Sequence, residues 1–356
     1  MQRIEHISKE LGKHQIGAFL TTKGPNLQYI TGFTGGEGIV LVFDNQKAVL
    51  MVDGRYTYQA KTQSFPNIEV LEYQPKNLWE TIGSYLKDTD AIGLEAEARL
   101  NLYFKLKEHY PQKEWKMVPD FFDLIRAVKD ENELECIKKA ASIANQAYLN
   151  MLQYVKPGVS ELELSALIEY EMKKLGGQKV SFEVIVASGH RSAMPHGVAS
   201  EKKIETGDLI TFDFGVFYQG YASDTTRTIS LGQPKDAEAL KVYQTVLDAQ
   251  KKSIDGLREG ILCSQADEIP RNHIEEKGYG AFFKHSTGHG IGLEIHELPR
   301  ISYDCKMELK TGMVVTIEPG IYLDERFGVR IEDSLIITKD GCINLTPIEK
   351  DELMIL

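Results

Sequence analysis

Hydrophobic and polar residues alternate along several short stretches in the second half of the chain. In the stretch 208–217 (DLITFDFGVF), Ile210, Phe212 and Phe214 fall on one face of an extended backbone, whereas Asp213 falls on the other. We therefore predict a β-strand that packs an apolar face into a core and directs a carboxylate away from it.

A second stretch, 327–338 (FGVRIEDSLIIT), has the same period of two. Its faces carry Arg330, Glu332 and Ser334 on one side, and Ile331, Asp333 and Leu335 on the other. Charged groups in apolar, β-prone stretches are costly to bury unless they are paired. Several such positions together indicate a binding site, although any one carboxylate, taken alone, is better explained as a hydrogen-bonded core residue.

Two helical segments, 154–177 and 256–280, share a pattern at a constant offset along the chain. The matched pairs are Leu152 and Ile254, Val155 and Leu257, Gly158 and Gly260, Val159 and Ile261, and Gly176 and Gly278. Strands that carry acidic residues are predicted after each segment. We therefore predict an internal duplication whose two sheets meet at a common site. The alternative is a chance similarity between two helical hairpins.

Each copy also carries signals for the end of one helix and the start of the next. A glycine closes the first helix, and a serine with an acidic residue three positions later is typical of a capping box. The serine and acidic pairs are Ser160 with Glu163 and Ser264 with Asp267.

The N-terminal third of the chain has a different pattern. Short β-prone runs at 38–43, 48–53 and 91–96 alternate with helix-like stretches, which predicts a small α/β domain. A long helix is predicted from residue 131 onwards. We place the boundary so that the domains are 1–125 and 126–356, and we expect the whole chain to have an α+β fold.

Composition and charge restrict the function. A chain of 356 residues is long enough for two domains that each bury a core. Asp and Glu total 52 against 41 Lys and Arg, and without a basic cluster this acidity argues against binding to nucleic acid or an anionic membrane. We also expect no signal peptide and no membrane span. Four scattered cysteines without a CxxC pair suit free thiols in the cytoplasm.

Five potential metal ligands follow one another in these strand-rich regions. They are Asp213, Asp224, His289, Glu318 and Glu332. Four carboxylates and an imidazole in apolar surroundings require positive charge, and divalent metal is the simplest source. The set suits two ions of the Mn, Co, Fe or Zn kind better than one. A phosphate-binding loop at GHGIG (288–292) is disfavoured, since no Lys-Ser/Thr follows it, and no G-x-S-x-G motif supports a serine nucleophile.

The five ligands, together with GHGIGLEIHE (288–297) and VTIEPGIY (315–322), closely resemble the pita-bread metallopeptidases. That superfamily includes Xaa-Pro dipeptidase (prolidase), aminopeptidase P and methionine aminopeptidase. The resemblance covers about residue 126 to the C-terminus and, more weakly, the N-terminal part. It implies a pita-bread catalytic domain after a creatinase-like α/β domain, two bound divalent metal ions and a homodimer.

The resemblance also implies roles for individual residues. Asp213 holds one metal ion, His289 and Glu318 hold the other, and Asp224 and Glu332 bridge the two. The ions lower the pKa of a shared water so that hydroxide attacks the peptide carbonyl, and Glu318 shuttles a proton to the leaving group.

Further residues match positions near the substrate or the ligands. His196 contacts the scissile amide, and His296 stabilises the developing oxyanion or positions the carbonyl. We expect Arg227 and Arg330 to lie behind the ligands and to orient carboxylates there. His285 either supports a ligand in the same way or is structural.

The additional N-terminal domain favours an Xaa-Pro peptidase over methionine aminopeptidase. Arg300 resembles the prolidase arginine that binds the free carboxylate of a terminal proline, although a surface arginine is the alternative. TGFTGGEG (31–38) and DGRYTYQA (53–60) are more similar to aminopeptidase P. We predict an Xaa-Pro dipeptidase, with an aminopeptidase P that acts on longer proline-containing peptides as the alternative.

A function of another class is also open. Some proteins with this fold are binding proteins without metal, and creatinase hydrolyses creatine without metal. Such members have substituted ligands, whereas all five are intact here.

Overall fold

The computed structural model describes residues 2–356 and divides the chain into two compact units. The first unit ends at Arg126, and the second spans Ala127–Leu356. Both units combine helices with β-sheets, so the predicted α+β class is confirmed. None of the described helices is long and apolar enough to cross a membrane. All four cysteines are free thiols, as predicted.

The first unit is built on one mixed sheet with the strand order β4-β3-β2-β1-β5-β6. Its strands are β1 (Ala18–Thr21), β2 (Ile39–Phe43), β3 (Ala48–Val52), β4 (Glu69–Glu72), β5 (Ala91–Glu95) and β6 (Glu114–Val118). The three β-prone runs of the sequence form β2, β3 and β5, which confirms them as strands. Strand β2 pairs with β1 and β3 in antiparallel fashion, and the outer pairings are parallel.

Six helices accompany this sheet. They are α1 (Gln2–Lys13), α2 (Gly24–Thr31), α3 (Thr57–Gln63), α4 (Leu78–Tyr85), α5 (Leu100–His109) and α6 (Phe121–Ala127). Strands β2 and β3 are buried along their whole length, which matches their continuous apolar sequences.

The second unit contains four long helices. They are α7 (Glu131–Leu152), α8 (Glu161–Lys174), α9 (Ala239–Gly256) and α10 (Cys263–Glu276). Two antiparallel sheets and two hairpins complete it, with the sheet orders β11-β8-β7 and β13-β12-β14-β17-β18 and the hairpins β9-β10 and β15-β16.

The strands of this unit are short. They are β7 (Ile185–Ser188), β8 (Leu209–Phe214), β9 (Phe217–Tyr218), β10 (Tyr221–Ala222), β11 (Thr225–Ser230), β12 (Gly288–Gly290), β13 (Glu297–Ile301), β14 (Val314–Ile317), β15 (Gly320–Leu323), β16 (Phe327–Arg330), β17 (Asp333–Ile337) and β18 (Cys342–Asn344). The predicted alternation in β8 is confirmed, because Ile210, Phe212 and Phe214 all lie in one buried apolar cluster with Tyr148 of α7.

The predicted duplication is visible in the backbone. Each half contains a helix pair followed by a three-stranded antiparallel unit, α7-α8 with β7, β8 and β11, and α9-α10 with β12, β14 and β17. Gly158 and Gly260 both adopt a left-handed conformation, with φ of 87° and 86°. Their amide groups donate equivalent hydrogen bonds, to the carbonyls of Ile204 and Leu309. The two halves therefore repeat one local design.

The capping signals are equivalent only in part. Ser160 accepts a hydrogen bond from the amide of Glu163 and caps α8, as predicted. The predicted cap at Ser264 is wrong, because α10 already begins at Cys263 and Ser264 lies inside its first turn. At the constant offset, Leu262 corresponds to Ser160.

The prediction failed because the capping role was assigned to Ser264 instead of to Leu262. The Gln265 side chain accepts from the Leu262 amide at 3.1 Å, as Glu163 accepts from the Ser160 amide at 2.7 Å. Asp267, the predicted acidic partner, instead forms a bidentate ion pair with Arg271 and accepts from Thr287. One half of the capping box is therefore conserved between the copies, and the hydroxyl half is not.

Candidate metal centre

The five candidate ligands lie on or directly beside strands of both halves. Asp213 lies on β8 and His289 on β12, whereas Asp224 precedes β11, Glu318 follows β14 and Glu332 precedes β17. Strand β8 pairs with β11, and β14 pairs with both β12 and β17. The ladders therefore hold the ligands of each half at fixed positions relative to one another.

Three of these carboxylates form an acidic cluster. Single oxygen atoms of Asp213, Asp224 and Glu332 all lie within 4.8 Å of one another. Asp224 and Glu332 are only 5% and 2% exposed. Oδ1 of Asp213 and Oε1 of Glu332 are buried and have no hydrogen-bond partner among the described residues. Such oxygen atoms suit a divalent cation, since buried acceptors are otherwise hydrogen-bonded.

His289 and Glu318 lie at the edge of this cluster. Nε2 of His289 is 3.5 Å from Oδ2 of Asp224 and 3.4 Å from Oε1 of Glu318. Nδ1 of His289 lies 3.1 Å from the carbonyl of Gly290, so this nitrogen is assigned as the donor. Nε2 then directs a lone pair toward the carboxylates, as a metal-ligating histidine requires.

Burial determines the protonation of these groups in the absence of metal. It lowers the pKa of His289 to about 4, so the imidazole is neutral. It raises the pKa of Glu318 to about 8 and the pKa values of Asp224 and Glu332 well above their usual range. Nearby carboxylates add to the effect at all three. The site therefore favours added positive charge, which a metal supplies.

Hydroxyl groups on the paired strands orient the ligands. Thr226 donates to Oε2 of Glu332 at 2.6 Å, and Thr316 donates to Oε1 of Glu318 at 3.2 Å. Neither threonine was predicted from the sequence. The period of two would have placed Thr316 on the same face as Glu318, but no local signal links Thr226 to Glu332.

Glycine allows the close approach of β12 to β14 beside His289. A Cβ atom at Gly288 would lie 1.9 Å from the carbonyl oxygen of Thr316. Gly288 therefore provides the backbone room that this ligand position requires.

Arg330 connects Asp213 to a second layer of polar groups. Its buried guanidinium donates to Oδ2 of Asp213 at 2.7 Å, to the Tyr322 hydroxyl at 2.9 Å and to the carbonyl of Pro195 at 3.1 Å. The Tyr322 hydroxyl lies 2.9 Å from Nε2 of His285, whose Nδ1 faces the Ser286 carbonyl at 2.8 Å. His285 thus reaches Asp213 through Tyr322 and Arg330. The sequence analysis did not identify Tyr322.

Arg227 pairs with a carboxylate that is not a candidate ligand. Its Nη2 donates to Oδ1 of Asp333 at 2.8 Å and to the Thr346 carbonyl at 2.7 Å. Its Nη1 donates to the backbone carbonyl of Glu332 at 2.5 Å. Arg227 therefore holds the backbone that carries a candidate ligand rather than a ligand carboxylate, because Asp333, on the other face, takes its charge.

The two remaining histidines are exposed near the cluster. The His296 ring centroid lies 4.4 Å from that of His289, with the rings at 71°. Burial lowers the pKa of His296, and the neighbouring His196 lowers it further. His196 directly follows Pro195, whose carbonyl accepts from Arg330.

Arg300 lies on β13 directly opposite His289 of β12. Residues that pair in this way direct their side chains to the same face of a sheet. The Arg300 side chain is 57% exposed, and its Nη2 lies 2.6 Å from both carboxylate oxygens of Asp304. A solvent-facing cation therefore lies on the same face of the sheet as the candidate ligand His289.

Comparisons with known proteins agree with this geometry. The sequence model of metallopeptidase family M24 matches residues 135–339, and that of the creatinase/prolidase N-terminal domain matches residues 3–128. The Xaa-Pro dipeptidase of Pyrococcus horikoshii is 40% identical over 350 residues, which cover 98% of each chain.

Two solved structures are also similar over nearly the whole chain. An Xaa-Pro dipeptidase from Bacillus anthracis is 39% identical with a TM-score of 0.94, and the match covers 100% of this chain and 99% of the other. An X-Pro aminopeptidase from Thermotoga maritima is 38% identical with a TM-score of 0.90, and the match covers 99% of each chain.

Proposed function

Because the chain belongs to metallopeptidase family M24, we propose that it is an Xaa-Pro dipeptidase. Family membership makes it a hydrolase that uses divalent metal. The names of its relatives include both Xaa-Pro dipeptidases and an X-Pro aminopeptidase. The observation that carries the dipeptidase proposal is the position of Arg300, paired across the sheet from His289.

The acidic cluster and its neighbours would hold two metal ions. Asp213 would bind one ion, His289 and Glu318 the other, and Asp224 and Glu332 both. The buried oxygen atoms of Asp213 and Glu332 that have no partner among the described residues support this arrangement. Mn, Co, Zn and Fe all accept such ligands. When bound, the ions would lower the pKa of a water and polarise the scissile carbonyl.

Glu318 is suited to carry a proton to the leaving nitrogen. Its Oε1 accepts from Thr316 and faces His289, which leaves Oε2 for the transfer. As a carboxylate beside the attacking water, Glu318 would take the proton of that water and pass it to the nitrogen. The tertiary amide before proline gives a nitrogen that must be protonated to leave.

The exposed histidines would position the peptide. His296 packs against His289 and would donate to the substrate carbonyl oxygen, where negative charge develops. His196 would contact the scissile amide from the segment that Arg330 ties to Asp213. Neither histidine carries the chemistry alone, so loss of either should slow the reaction without removing metal.

Arg300 would bind the free carboxylate of a terminal proline. A dipeptide ends one residue beyond the scissile bond, at most about 3.6 Å of extended chain. A cation on the same face as His289 is therefore placed to select substrates that end there. The alternative, an aminopeptidase P that cleaves longer Xaa-Pro peptides, is favoured by the similarity to the enzyme from Thermotoga maritima.

The resemblance of the sequence to Xaa-Pro peptidases also supports a homodimer.

Hydrolysis of an Xaa-Pro dipeptide beside an Xaa-Pro-Yaa tripeptide tests the proposal. Each substrate is assayed with added Mn²⁺ and with a chelator. We expect chelator-sensitive cleavage of the dipeptide. Cleavage of the tripeptide alone would favour aminopeptidase P, and no cleavage of either by the metal-loaded protein would contradict a peptidase of this specificity.

A further inference from the structure

The guanidinium of Arg300 is already occupied by a carboxylate from its own chain. Nη2 lies 2.6 Å from Oδ1 and 2.6 Å from Oδ2 of Asp304. An arginine binds a carboxylate best through two parallel N–H groups on one edge, and Nη2 belongs both to the edge with Nε and to the edge with Nη1. Asp304 therefore blocks both edges for a second bidentate carboxylate.

A buried hydroxyl holds Asp304 in this position. Ser302, which is 3% exposed, donates a hydrogen bond to Oδ1 of Asp304. The amide of Cys305 donates to the Ser302 carbonyl at 3.0 Å, which closes a turn directly after β13. The hydrogen bond from Ser302 and the charge of Arg300 lower the pKa of Asp304, so it remains ionised.

We propose that Asp304 competes with the substrate carboxylate for Arg300 and thereby sets the preference between peptides that end at proline and longer peptides. This inference rests on the proposed function only in that Arg300 faces the substrate. A terminal carboxylate must displace Asp304, whereas a peptide that continues past proline does not need Arg300. Asp304 thus weakens binding of the dipeptide selectively.

The expected effect is small because the ion pair faces solvent. The side chains of Arg300 and Asp304 are 57% and 47% exposed, and exposed ion pairs are weak. Removing the negative charge should therefore tighten carboxylate binding by about two- to fivefold. Asn is the suitable replacement, since it keeps the size of the side chain and an oxygen for Ser302.

The test compares L-proline with L-prolinamide as ligands of the metal-loaded protein, measured by isothermal titration calorimetry. The two ligands differ only in the carboxylate. In Asp304→Asn, we expect the Kd of L-proline to fall about two- to fivefold and that of L-prolinamide to stay the same. Asp236→Asn is the matched control, because it removes one of the two carboxylate partners of another exposed arginine, Arg326.

Other outcomes would overturn the inference. Weaker proline binding by Asp304→Asn would mean that Asp304 positions Arg300 instead of competing for it. Competition for a carboxylate would also be contradicted if the Kd changed equally for both ligands. The same holds if neither the unmodified protein nor Asp304→Asn bound proline. These results do not depend on turnover, whereas a failure of the proposed function appears as absent cleavage of Xaa-Pro peptides by the unmodified protein. With cleavage present, the KM of the dipeptide should fall in Asp304→Asn with kcat unchanged.

Discussion

Arg330 donates a hydrogen bond from Nη2 to Oδ2 of Asp213 across 2.7 Å, while Oδ1 of the same carboxylate is buried and has no partner among the described residues. One oxygen is therefore held by a cation of the protein, and the other is left for the acidic cluster. Arg330 thus orients Asp213 through one oxygen, and the other oxygen is available to bind metal. Different substitutions can test the orientation of the ligand and the binding of metal.

The first prediction concerns stability. Arg330→Met should lower the free energy of unfolding by about 3–5 kcal/mol, because it leaves Asp213 as a buried charge without its partner. Arg326→Met, which breaks exposed pairs with Asp236 and Glu238, should have little effect. Denaturant unfolding with chelator present measures both. Similar losses in the two variants would contradict the expectation that the buried pair of Arg330 stabilises the fold more than the exposed pairs of Arg326.

The second prediction concerns metal. Asp224→Asn should abolish activity and lower the metal content, since it removes a charge from the centre of the acidic cluster. Ligand binding to the native state raises the Tm, so Mn²⁺ should stabilise the unmodified protein and chelator should reverse the effect.

In Asp224→Asn, this shift of Tm should be largely lost. Asp324→Asn is the control, because its side chain is 72% exposed and pairs with Lys284. Metal content by mass spectrometry and Tm by scanning calorimetry are the measurements. A full Mn²⁺-dependent shift in Asp224→Asn would be inconsistent with the proposed bridging role.

The third prediction concerns the substrate terminus. Arg300→Ala should reduce kcat/KM for an Xaa-Pro dipeptide by about 10- to 100-fold, as expected for loss of a hydrogen bond to a charged group. Cleavage of an Xaa-Pro-Yaa tripeptide should change much less. Arg258→Ala, at an exposed arginine beside Gly256, should alter neither rate. Equal losses on both substrates in Arg300→Ala would defeat its proposed role.

The sequence pattern predicted features that depend on residues close together along the chain. The alternation in β8 was sufficient to place Phe212 in the core and Asp213 on the other face. The contacts of Arg330 with the Pro195 carbonyl and of Thr226 with Glu332 could not be predicted in this way, because they join segments that are far apart along the chain. The ion pair of Arg227 with Asp333 joins distant segments in the same way.

The final prediction uses the two unequal helix caps as an internal comparison. Ser160→Ala should destabilise the protein by about 1 kcal/mol, because it removes the side chain that accepts from the Glu163 amide at the start of α8. Ser264→Ala should have little effect, since Ser264 lies inside the first turn of α10 and Leu262 occupies the capping position. Urea unfolding at neutral pH measures the difference. A larger loss in Ser264→Ala would contradict the assigned caps.

The same comparison predicts a dependence on pH. Hydrogen bonds from Ser160, with a further contribution from Lys203, lower the pKa of Glu163 from its usual value of 4.5 to about 2. A carboxyl whose pKa is lowered by folding stabilises the native state above its unfolded pKa, and this contribution is lost as the pH falls toward the folded value. The gap in unfolding free energy between the unmodified protein and Ser160→Ala should therefore be largest above about pH 5 and shrink as the pH approaches 3. A gap that is constant over this range would mean that Ser160 stabilises α8 without acting on the charge of Glu163.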